Sequence, residues 1–263
     1  MIEIIIPIEQ YSKQLDETVA SIEATVSSPN LKIIHEPDLN VAECRHKAIQ
    51  ESSADYLCFL DYDSVMIMDG WLDAMFSTML QNPQAAGLCM EEWWGTERRG
   101  VTLHPRGPSP VYEVDFGPAA CLMIDKSKIP DTVVWDKYIG LANGWLGGDA
   151  EEVAWQYELR QQTGYKIMRM RDWMFHHKGG KTTAQAFLRT DRAKTCSTMM
   201  NLIKYKYSKC PEDRDFFKQL HYLRADPCDD TMLLSGTLRD CYKDVIKANG
   251  LHTRNKYIER GLV

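Results

Sequence analysis

The sequence predicts an α/β protein built on an open, mostly parallel sheet flanked by helices. Three observations predict it. The first 90 residues alternate short apolar runs with stretches of helical spacing, the pattern of parallel strands joined by crossover helices. Residues 2–6 are β-branched except for Glu3, as suits a strand covered on both faces. Residues 56–60 form a second apolar run, and it ends in Asp61-Tyr62-Asp63. In open α/β sheets ligands sit beyond the carboxyl ends of the strands. Two carboxylates at that edge suit a hard cation and its phosphate ligand.

The elements follow in order. The strand at 2–6 ends at Pro7, which has no amide proton to donate. Residues 14–26 have helical spacing, with Leu15, Val19, Ile22 and Val26 on one face. Pro29-Asn30 breaks this helix and residues 32–35 form a strand. Pro37-Asp38-Leu39-Asn40 is a turn, and a helix follows over 41–51. Beyond the strand at 56–60, extended backbone puts Asp61 and Asp63 on one side and Tyr62 on the other. Residues 70–81 read as a helix and 86–90 as a strand.

Residues 91–109 read as a loop that carries Trp93-Trp94 among glycines and prolines; a lid and a packed loop both fit. Strands are expected over 111–116 and 119–124, around Gly117-Pro118. Residues 143–152 form a hinge-like segment whose acidic end opens a helix over 153–162. Carboxylates there also serve capping and the helix dipole. Gly164 stops that helix. A strand over 165–170 leads to Asp172, His176 and His177, and a helix is expected over 182–207.

Composition narrows the class. The 263 residues allow one large domain with an appended subdomain, divided as 1–182 and a helical 183–263. Hydrophobic content of 44% and charged content of 26% are ordinary for a soluble globular protein. The apolar runs are too short to span a membrane. Met1 leads straight into a strand, so no signal peptide is expected. The eight cysteines form no Cys-x-x-Cys pair, which argues against zinc and for reduced thiols in a cytoplasmic protein. Residues 1–180 hold 15 basic and 27 acidic side chains, and residues 181–263 hold 16 and 10. The basic last third fits a solvated helical surface, or a face that meets a polyanion or an acidic membrane.

The motif order resembles the nucleotide-sugar glycosyltransferases of the GT-A fold, in particular family 2. The matching residues are Ile4-Ile5-Ile6-Pro7, the helix start Asn40-Val41-Ala42-Glu43-Cys44-Arg45-His46-Lys47, and Asp61-Tyr62-Asp63. Gly147-Gly148, Glu151-Glu152, Gly164-Tyr165 and His177-Lys178-Gly179-Gly180 continue the match. Trp145-Leu146-Gly147-Gly148-Asp149 is also similar to the Trp-Gly-Gly-Glu-Asp segment of β-1,4-galactosyltransferases. The resemblance spans residues 1–182. It implies a nucleotide-sugar donor held by Pro7, Arg45, Asp61, Tyr62, Asp63, Trp145, Gly147 and Gly148. It implies Mn2+ or Mg2+ bound by Asp61, Asp63 and His177, with His176 in reserve. The acidic residues in the catalytic position are Glu152, Asp149 and Glu151. Helix spacing favours Glu152, and the Trp-Gly-Gly match favours Asp149. Two departures stand out: the acidic pair is Glu-Glu rather than Glu-Asp, and the strand expected to contact the nucleobase is shortened or absent.

The chemistry asks for three things. The leaving diphosphate needs a counter-charge, which a carboxylate-held cation supplies. The acceptor hydroxyl needs a base, which implies inversion; a retaining enzyme with the same motifs leaves that base unused. Water must be excluded, and Trp145 among glycines has the makings of a closing loop. The acceptor is open between a hydroxymethylated DNA base and a glycan or lipid-linked sugar. Lys204-Tyr205-Lys206-Tyr207-Ser208-Lys209 fits phosphate tracking and base stacking, or an amphipathic helix. A nucleotidyltransferase would need a Gly-rich, basic loop after the first strand, where Pro7-Ile8-Glu9-Gln10 stands. The non-enzyme alternative is a relative that only binds sugar or nucleic acid.

Overall fold

The computed structural model describes residues 1–8, 10–36, 39–94, 97–99, 109–114, 117–135 and 151–178. Nine strands, β1 (Ile2–Ile8), β2 (Leu31–His35), β3 (Tyr56–Leu60), β4 (Ser64–Met66), β5 (Ala85–Trp94), β6 (Glu97–Arg99), β7 (Val111–Val114), β8 (Cys121–Asp125) and β9 (Lys166–His177), form one sheet among the described residues. Four α-helices lie among the described residues: α1 (Lys13–Thr25), α2 (Val41–Glu51), α3 (Trp71–Gln81) and α4 (Glu151–Thr163).

The sheet order is β2-β1-β3-β8-β5-β9-β4, with β6 on β5 and β7 on β9. In the run from β2 to β9, only β8 opposes the direction of the other five strands.

The continuous apolar runs are explained by burial on both faces. Ile4, Ile6 and Ile8 of β1, Cys58 and Leu60 of β3, and Cys121 and Met123 of β8 face one core with α1 and α3. Ile5, Leu57, Phe59, Leu122 and Ile124, which alternate with them, face a second core with α2 and α4. This is a three-layer α/β sandwich, and alternation in each strand feeds both interfaces. The described cysteines 44, 58, 89 and 121 are buried free thiols within these layers.

Helix starts follow local chemistry. The Ser12 hydroxyl accepts from the Leu15 amide at 3.2 Å and starts α1. Asn40 and Glu43 close a reciprocal capping box at the start of α2, with both bonds at 3.0 Å. This fixes the rotation of α2, which turns Val41, Ala42, Cys44, Arg45 and Ala48 inward. Only one strand, β2, separates α1 from Asn40, and it is the edge of the sheet. The base-contact strand implied by the resemblance has no counterpart there.

Four boundaries differ from the sequence reading. Pro7 lies within β1, not past its end. Pairing with β3 stops at Ile5, and β1 continues against β2 alone, so the missing amide proton breaks no ladder bond to β3. Residues 91–94 extend β5 and 97–99 form β6, where a loop was expected; Glu91-Glu92 carry low strand propensity, and pairing with β9 overrides it. Helix α4 begins at Glu151, two residues early. Strand β9 runs on through His177 rather than ending at Met170.

Candidate active site

Asp61 and Asp63 leave the carboxyl end of β3 in a turn held from three sides. The Asp61 amide donates to the Ala120 carbonyl at 3.3 Å, and the Ser64 hydroxyl donates to the same carbonyl at 2.8 Å. The Thr18 hydroxyl of α1 donates to the Tyr62 carbonyl at 2.8 Å. The Lys178 amide donates to the Asp63 carbonyl at 2.9 Å. The Tyr62 side chain packs against the α1/α3 core, away from the two carboxylates.

The β4–β9 ladder pairs Ser64 with His177 and so delivers His177 beside Asp63. Nε2 of His177 lies 3.1 Å from Asp63 and 3.8 Å from Asp61. One ligand atom from each of Asp61, Asp63 and His177 falls within 4.8 Å of the others. His176, next along β9, pairs with Val65 and Trp93, and its side chain alternates to the other face.

Delivery of His177 depends on an irregularity in β9. Its register against β5 moves from Cys89–Arg169 to Glu91–Met174, so β9 carries three extra residues there. Asp172 within them has φ 66°, a left-handed conformation that Asp tolerates better than most residues. The sequence reading stopped the strand at this point and missed Glu92, whose carboxylate contacts Nδ1 of His177.

Arg45 joins this turn to α4. Its Nη2 is 2.7 Å from Asp61 and its Nη1 is 2.8 Å from Glu151. The guanidinium carbon lies 5.2 Å from the Trp135 ring centre, and Trp135 stacks on Trp155 of α4 at 4.9 Å. Arg45 and Glu151 are 2% and 3% exposed, so their charges are hidden from solvent and matched to each other. Glu152 follows on the same first turn, half-buried. A second clamp fixes α4: the Gly117 amide donates to Gln156 at 2.6 Å, and the Gln156 amide donates to the Gly117 carbonyl at 2.7 Å.

Electrostatics follow this crowding. Burial raises the Asp61 carboxyl above its ordinary value, although Arg45 and His177 pull it down. Burial lowers His177, but its bonds to Asp63 and Glu92 outweigh that and bring it up to about 10. A cation held by Asp61 and Asp63 would gain Nε2 of His177 as a third ligand only with that nitrogen free of its proton. Two carboxylates and one imidazole are an acceptable donor set for Mn2+, and the two carboxylates with phosphate oxygens suit Mg2+, so the residues present fit such an ion.

Pro7 lies buried in β1. Asp149, Trp145, Gly147 and Gly148 lie outside the described residues, as do the expected helix at 182–207 and the whole of 183–263. No helix among the described residues is long and apolar enough to cross a membrane.

No family model matches the sequence, and no curated protein matches it. Solved structures share its architecture. TarS of S. aureus, residues 1–349, superposes with a TM-score of 0.57 at 11% identity, over 99% of this chain and 86% of that one. The same fragment in complex with UDP-GlcNAc gives 0.55 at 12% identity, over 94% and 81%. The mannosyltransferase PcManGT from Pyrobaculum calidifontis, in complex with GDP-Man and Mn2+, gives 0.59 at 9% identity, over 95% and 74%. The chain therefore has the GT-A fold, a mixed and mostly parallel sheet with flanking helices.

Proposed function

We propose that this chain is a glycosyltransferase that moves a sugar from a nucleotide-sugar donor to an acceptor hydroxyl. The observation that carries the reading is the convergence of Asp61, Asp63 and His177 at the end of β3, opposite the acidic start of α4. The UDP-GlcNAc and GDP-Man complexes of two structural neighbours support it.

In this reading Asp61, Asp63 and His177 hold Mn2+ or Mg2+, which supplies the counter-charge for the departing diphosphate. The Mn2+ in the mannosyltransferase complex is consistent with that. The hydrogen-bonded turn over 61–64 keeps both aspartates in place before donor arrives, so little reorganisation accompanies the reaction. Pro7, Arg45 and Tyr62 support the donor side through the backbone and the aspartate turn, and Trp145, Gly147 and Gly148 are further proposed donor contacts. Arg45 does this indirectly, by fixing Asp61.

Glu152 takes the proton from the acceptor hydroxyl as general base. Glu151 is committed to Arg45 and serves to anchor α4. Asp149 is the competing base. The acceptor in this proposal is a hydroxymethylated DNA base, met by the basic residues 181–263; the location of the enzyme is the cytoplasm. A glycan or lipid-linked acceptor is the second outcome of the same assay.

The test is a panel of nucleotide sugars with hydroxymethylated DNA and oligosaccharide acceptors, with and without EDTA, read by product mass spectrometry. Metal-dependent transfer to any acceptor supports the reading. Nucleotidyl transfer, or binding of sugar without turnover, replaces it.

A further inference from the structure

Glu92 belongs to none of the sequence motifs above, yet it holds the far side of His177. Its carboxylate bonds Nδ1 of the ring, while Nε2 faces Asp63 and Asp61. The backbone explains the contact. In the parallel β5–β9 ladder Glu92 is opposite Phe175, and His177 lies two residues further on the same face. The three extra residues in β9 set that register. The Glu92 and His177 side chains are 18% and 13% exposed, and the Phe175 ring centre lies 6.2 Å from the imidazole. Little water competes for Nδ1.

An imidazole binds a cation only through a nitrogen without a proton. Which nitrogen that is depends on what the other one bonds. A carboxylate at Nδ1 keeps the proton there, fixes the plane of the ring, and makes Nε2 a stronger donor.

We propose that Glu92 is a positioning residue: it holds the His177 proton on Nδ1 and turns Nε2 toward a divalent cation shared with Asp61 and Asp63. This rests on the reading that those three residues hold a cation. Glu92 acts from the opposite side of the ring to the aspartates, so it orients a ligand without being one. The site is thereby a four-residue unit assembled from β3, β5 and β9, with the ring plane and the Nδ1 contact of His177 set before any cation binds.

The experiment is Mn2+ titration of the full chain, with free ion counted by electron paramagnetic resonance. Spin-echo modulation on the bound ion reads coupling to an imidazole nitrogen. Wild type is expected to bind Mn2+ and show that coupling, and His177→Ala to lose it. Glu92→Gln, which keeps size and shape, is expected to weaken binding about 10–100-fold, and Glu92→Asp to recover part of the loss. Glu92→Ala is expected to weaken binding and also reduce the nitrogen coupling. Melting temperatures of the metal-free variants separate this from loss of fold; if Glu92→Ala does not fold, Glu92→Gln decides. Wild-type affinity and coupling in Glu92→Gln would overturn the positioning role. Mn2+ binding without nitrogen coupling in wild type would overturn it too, while leaving a carboxylate site. No Mn2+ binding by wild type would instead overturn the cation reading itself.

Discussion

Arg45 and Glu151, 106 residues apart in sequence, form a buried ion pair at 2.8 Å, and the other arm of the same guanidinium holds Asp61 at 2.7 Å. One side chain thus ties α2, the aspartate turn and the start of α4 together. A buried arginine facing two carboxylates contributes less by its own attraction than its loss would cost, because removal strands charge away from water. Arg45→Met is expected to destabilise the protein by about 3–5 kcal/mol, discounted toward the lower end because Asp61 keeps contact with solvent. Arg45→Lys should recover only part, since an ammonium cannot span two carboxylates in a fixed fork. Urea unfolding of both variants, and of Arg45→Met with Glu151→Gln, measures this. The double variant should be more stable than the single one; equal stability would mean that Glu151 is not the stranded charge.

The aspartates carry the donor side of the proposed reaction. Asp63→Ala should lower transfer by roughly 10²–10³-fold, the usual effect of removing one preorganised electrostatic group. EDTA should do the same to wild type, with recovery on adding Mn2+. Full activity of Asp63→Ala, or of wild type in EDTA, removes the cation from the mechanism.

The neighbours Glu151 and Glu152 should separate cleanly. Glu152→Gln is expected to cut turnover by roughly 10²–10⁴-fold with donor affinity and stability near wild type. Glu151→Gln is expected to lower stability, because it takes the charge from Arg45. If Asp149→Asn, and not Glu152→Gln, shows the turnover defect, the base lies before the helix.

How far the sequence reveals this differs between elements, for physical reasons. Strands β1 and β3 are legible as continuous apolar runs buried on both faces, and helix α2 as a periodic stretch after the turn ending at Asn40. Asp61 and Asp63 stand out in the sequence because they follow a buried strand at its carboxyl edge, and the fold brings them together with His177. Glu92 is not legible. Its role arises from three extra residues in β9, 80 positions away, and the glutamates carry little strand signal beside Trp93-Trp94 and the glycine that follows. Arg45 is legible as a motif position, but not as a buried bridge, since its partners come from two other elements. Helix α4 takes in Glu151 and Glu152, ahead of the stretch whose spacing predicts it, and Arg45 and the helix dipole both favour a carboxylate at Glu151.

Gly117 tests the placement of α4. A Cβ there would lie 2.6 Å from Sγ and 3.0 Å from Cβ of Cys89, closer than packed atoms allow. Gly117 also exchanges two hydrogen bonds with the buried Gln156 amide. Gly117→Ala should therefore destabilise by about 1–3 kcal/mol, the usual range for overpacking. Adding Cys89→Ala removes the sulfur and should return part of the loss, a coupling that thermal denaturation of the three variants measures. Additive losses would show that the clash is not with Cys89.

The acceptor prediction concerns residues 181–263, whose excess of 16 basic over 10 acidic side chains contrasts with the acidic remainder. General attraction of the whole chain to DNA is opposed by its net charge of −6, so any binding must come from a local basic face. Lys204, Lys206 and Lys209 alternate with tyrosines and are the best candidates for phosphate contacts. Each contact releases counterions, so the logarithm of affinity should fall with the logarithm of salt by about 0.9 per phosphate on duplex DNA. Replacing the three lysines with alanine should flatten that slope by roughly three contacts' worth. Donor hydrolysis without acceptor should be unchanged, because the aspartate turn and α4 are untouched. The measurement is fluorescence anisotropy of labelled duplex across a salt series, beside transfer assays on hydroxymethylated DNA and on oligosaccharides. A flattened slope together with loss of transfer to DNA supports a nucleic-acid acceptor. Absence of binding at low salt, or transfer only to oligosaccharide, would assign the basic third another role and point the acceptor hydroxyl to a glycan.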